Sequence, residues 1–472
     1  MIRSKWLVFA LLTSLIPGFI TGCPQGSKVL SLSCELTPPP NPASESAPLT
    51  IAMYVDGTPS MQGYVTHPTN DKTRYAQTID LLEQTLFIGG TPRSISQEEY
   101  YRLGDETPTN IESGRQGYLE SKQRKFYDGS AYPPLKTVKI ENAISDAQEN
   151  KLTVIVTDLY QAREDVNNIN RKLEEYYLNL NNQKADYAVG ILAIKSEFNG
   201  KVYVEDETRG EFLYETNDKQ GKPIAEFRPF YVIFIGQYND ISYYFDKISK
   251  DKKIPADSHS TIFSANHLVK ELSYVDGEPK QENNGIKKIA AIGSPRIEIN
   301  QQKIHLYQIN QTSKPEIDLN YKVPLATYNN TSLPFTDDVS QISNNIETDT
   351  KIQVFDQLSK TLKDEPKNSQ LEKALEFGRW QRNGENNLNF VATIKPSVFP
   401  KPGFYYFIVD AKAKGIEPEK WWSEWSSTKN ISRDWKTFNL EPFLLGLKAS
   451  TDRLMQENKP IIGRFCYGIE KK

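Results

Sequence analysis

Leu49–Asp56, LTIAMYVD, constrains the chain more than any other stretch. Thr50 to Val55 is apolar and β-prone with almost no polar break. A continuous run of this kind suits a strand buried on both faces, with helices above and below the sheet. Leu152–Asp158, Tyr187–Ile194 and Pro229–Gly236 read the same way. Stretches of helical spacing separate or follow them: Tyr75–Phe87, Ile140–Ala147, Val166–Leu180 and Ile241–Ile248. Glu99–Leu103 reads as a short strand, residues 104–121 as loop, and residues 196–227 as a polar excursion with a hairpin. Strands alternating with helices predict an α/β fold with a doubly wound, mostly parallel sheet over residues 48–252.

A buried parallel strand delivers its C-terminal end to the crevice where open α/β sheets bind ligands. Here that end carries Asp56, then Thr58 and Ser60 at alternate positions. One carboxylate and two hydroxyls converging from one tight loop are oxygen ligands of the type Mg²⁺, Mn²⁺ or Ca²⁺ takes. The same residues also suit a solvated turn in which Asp56 or Thr58 caps the next helix. The second buried run ends in Thr157-Asp158, again a carboxylate at a strand end.

Asp56-Gly57-Thr58-Pro59-Ser60-Met61-Gln62-Gly63 resembles the metal-ion-dependent adhesion site of the von Willebrand factor A (vWA) family. That family's first motif is Asp-x-Ser-x-Ser, often followed by Met-x-Gly. Thr58 replaces the first Ser and keeps a hydroxyl, while Pro59 departs from the pattern. The family's late metal-site Asp follows a central strand as Thr-Asp, which Thr157-Asp158 matches. The resemblance covers roughly residues 50–248 and implies a vWA/Rossmann-like sheet with one divalent cation held by Asp56, Thr58, Ser60 and Asp158. It also implies a further hydroxyl from the loop before the helix leading into the second strand. Ser130 has the better spacing for it and Thr137 the better residue type; Ser130 is preferred. In the family, an Asp or Glu side chain of a protein partner completes the coordination, and the outcome is adhesion or assembly rather than bond cleavage.

The N-terminus adds a second resemblance. Arg3 and Lys5 precede a mostly apolar run, Trp6 to Ile20, which ends in Ile20-Thr21-Gly22-Cys23. This is similar to the signal peptide and lipobox of bacterial lipoproteins. It implies a signal at residues 1–22, lipidation of Cys23, and a membrane anchor that does not span. The protein is then expected at the cell envelope, on the periplasmic or extracellular face. Residues 23–47, with Thr37-Pro38-Pro39-Pro40-Asn41-Pro42, read as an extended Pro/Ser-rich tether. Cys23 apart, the chain has Cys34 and Cys466, either a disulfide or two free thiols.

Residues 253–472 carry short β-type runs separated by Gly, Pro and Asn clusters. Lys303–Ile309, Glu316–Val323, Leu388–Ile394 and Phe404–Ala411 predict an antiparallel, sandwich-like β-rich domain. Phe355–Leu362 is expected as a helical insertion and Glu441–Gln456 as an amphipathic terminal helix. Trp421, Trp422, Trp425 and Trp435 are expected to pack the core rather than form a glycan or peptide platform. The histidines at 67, 259, 267 and 305 are scattered and expected at the surface. A net charge of −3 offers no basic excess for nucleic acid. Two other function classes stay open: a metal-dependent periplasmic hydrolase or phosphatase, and a vWA-like scaffold with an inactive metal site.

Overall fold

The computed structural model describes residues 30–36, 47–104, 107–144, 150–161, 163–181, 186–203, 210–275, 279–281, 285–292, 297–299, 303–310, 315–336, 338–384, 386–428 and 434–472. The expected signal segment, Cys23 and most of the tether lie outside the described residues. Strands and helices alternate in the first half, as the apolar runs require. The strands are β1 (Leu49–Asp56), β2 (Ile95–Leu103), β3 (Lys151–Thr157), β4 (Tyr187–Ser196), β5 (Asn199–Tyr203), β6 (Glu211–Glu215), β7 (Arg228–Gln237) and β8 (His259–Phe263). The longer helices are α1 (Arg74–Glu83), α2 (Arg163–Asn181) and α3 (Tyr238–Ser249); short helices at Arg115–Leu119, within the expected loop, and Glu141–Ile144, the described part of the expected Ile140–Ala147 helix, lie between α1 and α2. Thr73 caps α1 by accepting a hydrogen bond from the Ala76 amide at 3.2 Å.

The sheet runs β8-β4-β7-β3-β1-β2, with Thr109–Asn110 at its edge. Its two faces follow from alternation along β1. Ile51, Met53 and Val55 pack with Ile79 and Leu82 of α1 and Ile241 and Phe245 of α3. Ala52 and Tyr54 face the other way, into a core shared with Ile169 and Leu173 of α2. Helices therefore cover both faces, which is why β1 reads as apolar throughout.

The sheet is mixed rather than mostly parallel. β1 pairs parallel with β2 and β3, but β7 is antiparallel to both β3 and β4, and β8 is antiparallel to β4. The cause lies in the connection from β4 to β7. Its described residues hold the β5–β6 hairpin and no helix. A parallel neighbour needs a long crossover, usually helical; the strand that returns here does so inverted. β8 also carries the sheet past residue 252.

The second half is a sandwich of two sheets. One runs Ile286–Lys288, β9 (Ile304–Ile309), β16 (Ile461–Lys471), β15 (Gly403–Ala413), β11 (Ile346–Asp356) and β12 (Thr361–Asp364). The other runs β10 (Ile317–Pro324), β14 (Asn387–Ile394) and β13 (Leu375–Arg382), with Lys280–Gln281 beside β10. Phe390 and Phe465 join the two sheets, ring centroids 4.5 Å apart. The larger sheet is not purely antiparallel, because β9 and β16 pair parallel.

The expected helix at Phe355–Leu362 is instead the β11–β12 hairpin. Asp356 Oδ1 accepts the Leu358 amide at 3.0 Å and the Ser359 amide at 2.7 Å, and Lys360 sits at φ 54°. Those turn bonds outcompete a helical backbone. His305 is buried, not at the surface, and hydrogen-bonds with the Tyr321 and Tyr307 hydroxyls at 3.2 and 3.3 Å. Trp421, Trp422 and Trp425 are buried and Trp435 partly so, with Trp422 against Phe263.

The terminal helix α4 (Leu440–Asn458) packs on α2, and the two halves share one core. Gly446 makes the close approach possible, since a Cβ there would lie 2.0 Å from Asn170 Nδ2. Leu30–Leu32 pairs parallel with Ile297–Ile299, and a disulfide joins Cys34 to Cys466 in β16. No helix among the described residues is long and apolar enough to cross a membrane.

Candidate metal centre

β1 and β3 are parallel neighbours, so their C-terminal ends lie side by side. β1 ends in Asp56, and Asp158 follows β3 directly. Both carboxylates are buried. Asp56 Oδ1 accepts the Thr58 amide at 2.9 Å and the Thr58 hydroxyl at 2.6 Å; Oδ2 accepts the Thr157 hydroxyl at 2.9 Å. Thr58 Oγ1 and Ser60 Oγ are 2.9 Å apart. The Asp158 carboxylate accepts the Tyr160 amide at 3.2 Å, and the Ser60 hydroxyl beside it favours its charged form.

Two arginines, neither foreseen from the sequence, build the walls. Arg102 of β2 donates to the carbonyls of Gly57 at 2.8 Å and Pro133 at 2.6 Å, pinning both loops. Its side chain fills the space above Gly57, where a Cβ would come within 2.4 Å of Nε. Arg228 opens β7, is 2% exposed, and donates to the Asp434 carbonyl at 3.1 Å. Its guanidinium lies 5.3 to 5.7 Å from the Phe198, Tyr160 and Tyr214 ring centroids. A charged residue at the head of a wholly apolar strand was the available signal for Arg228.

Burial, and then the facing Asp158 charge, push the Asp56 carboxyl up to about 7. Burial raises Asp158 as well, against the opposing pull of the Tyr160 amide, Arg228 and the Ser60 hydroxyl. Two buried carboxylates that disfavour each other's charge suit a cation between them.

Thr58, Ser60, Thr137, Asp158, Lys136 and Arg228 line a cavity of about 570 Å³. Thr58, Ser60 and Asp158 are thus brought together on the cavity wall, with Asp56 buried behind them and joined to Thr58 by hydrogen bonds. Ser130 is not among the lining residues. It is exposed, and its hydroxyl donates to Asp128 Oδ1 at 2.6 Å. Thr137, the position with the better residue type, lies on the cavity wall. Among the described residues no three His, Cys, Asp or Glu side chains gather as a metal cage. A cation held here would depend on two carboxylates and hydroxyls. Such a donor set fits a hard dication and leaves room for ligands from outside. Comparison with models of known protein families and with curated protein sequences finds no match.

Proposed function

We propose that residues 48–252 act as a vWA-like module that binds one divalent cation and joins proteins through it. Asp56, Thr58 and Ser60 hold the cation, with Thr137 and Asp158 completing the chain's own share. A protein partner's acidic side chain supplies the remaining ligand, so the module serves adhesion or assembly rather than catalysis. The bound cation supplies positive charge in an oxygen-lined crevice. The chain's own residues shape that crevice: Arg102 fixes the Gly57 loop, Thr157 orients Asp56, and the Tyr160 amide orients Asp158. The lipobox-like Ile20-Thr21-Gly22-Cys23 supports anchoring through Cys23 at a bacterial cell envelope.

One observation carries the reading. Asp56 and Asp158 sit at the ends of neighbouring strands and are buried; Asp158 lines one crevice with Thr58 and Ser60, and Asp56 lies behind it, bonded to Thr58. Calorimetry and thermal unfolding with Mg²⁺, Mn²⁺ and Ca²⁺ test it, comparing the native chain with Asp56→Ala. The expected result is a single site that raises the melting temperature with cation concentration and is lost in the variant. Equal behaviour of the two proteins would sink the metal reading and leave a scaffold. Cation-dependent hydrolysis of a generic phosphoester, lost in Asp56→Ala, would replace adhesion with catalysis.

A further inference from the structure

We propose that the outer face of the β10–β14–β13 sheet binds an acidic oligosaccharide. β10 alternates strictly: Ile317, Leu319, Tyr321 and Val323 face the core, leaving Asp318, Asn320 and Lys322 outside, with Asp318 engaged by the Thr393 hydroxyl at 2.7 Å. Register carries the outward row across three strands, Lys322 opposite Asn389 and Asn389 opposite Gln381. The adjacent row places Lys280 opposite Asn320. With Arg379 these residues line a cavity of about 490 Å³.

Charge on this sheet is segregated. Lys395, just past β14, is 2.7 Å from Glu376 and 3.6 Å from Glu316. Among the described residues, Lys280, Lys322 and Arg379 have no ion-pair partner, and no carboxylate lines their cavity. The nearby Asp338 is engaged by the Ser340 hydroxyl at 2.6 Å and by Gln341 at 3.2 Å. Asn389 Oδ1 is buried with no hydrogen-bond partner among the described residues. Arg379 stands at φ 55°, where the register of β13 shifts, so that Trp380 turns into the core and Arg379 stays outside. Backbone held in such a sparsely populated region concentrates at ligand sites.

The side-chain chemistry selects the ligand. Three cations call for a repeated anion. Asn and Gln side chains offer adjacent donors and acceptors, which neighbouring sugar hydroxyls require. An acidic peptide would add to a strand edge or set apolar side chains into pockets. This cavity instead crosses strands that are already paired, and its exposed apolar surface centres on Ile342.

The test is calorimetric titration of the whole chain with oligogalacturonate. Neutral dextran oligomers, inorganic phosphate and oligoglutamate serve as comparison probes. Saturable binding of oligogalacturonate alone is expected, weakening as salt is raised. Lys322→Glu combined with Arg379→Glu should weaken it about tenfold or more, with the melting temperature kept as proof of folding. Asp56→Ala should leave it unchanged, which separates this site from the metal centre. Absent binding, binding indifferent to the double variant, or equal binding of phosphate or oligoglutamate would overturn the proposal.

Discussion

Asp56 carries the sharpest consequence at the scale of single residues. Its folded carboxyl titrates near 7 against an ordinary value of 3.8. Between those values the folded protein holds a proton that the unfolded chain has released. Stability is therefore fully present below the ordinary value and is lost as pH rises through about 7. The melting temperature of cation-free protein should fall as pH rises from 4 to 7. Asp56→Asn should flatten that slope, and added Mg²⁺ should restore stability above pH 7. A slope unchanged by Asp56→Asn would show that other groups set it. Gly57→Ala is expected to cost about 1–3 kcal/mol in chemical denaturation, because its Cβ would displace the Arg102 side chain. Asp56, Thr58, Ser60 and Asp158 were legible because a strand end and a short loop place them by chain geometry alone. Arg102 and Arg228 were not, since they enter from strands whose neighbours sequence does not name. Ser130 has the family's spacing, but its hydroxyl donates to the neighbouring Asp128.

Elements divide along the same line. The four continuous apolar runs became β1, β3, β4 and β7, because burial on both faces leaves a local signature. The direction of β7 left none, since it depends on what the connection contains. The helical pattern of α4 hides the β16 that follows it in the sequence, although β16 lies between β9 and β15. The β11–β12 hairpin shows local polar bonding overriding an apparent helix, and it can be tested directly. Lys360 is in the left-handed region, which Gly adopts at no steric cost. Lys360→Gly should stabilise the protein by up to about 1 kcal/mol. Asp356→Ala removes the acceptor for Leu358, Ser359 and Lys363 and should destabilise by about 1–2 kcal/mol. Denaturant midpoints measure both; destabilisation by Lys360→Gly would refute the turn geometry.

For the whole molecule, the shared core ties residues far apart in sequence. α4 lies on α2, so the end of the chain helps cover the first sheet. The Cys34–Cys466 bond closes almost the entire chain, with a sequence separation of 432. Reduction, or Cys34→Ser with Cys466→Ser, is expected to cost about 2–5 kcal/mol by denaturant unfolding. A midpoint insensitive to reductant would contradict this.

The same bond also decides where a pull would go. Without it, tension on the N-terminal segment would pass from Cys34 along the backbone straight into β1, whose far end is Asp56. With it, the load has a second covalent route into β16, a strand held on both sides by β9 and β15. A pull on the residues before Cys34 is thus divided between the backbone leading to β1 and the broad sheet of the sandwich.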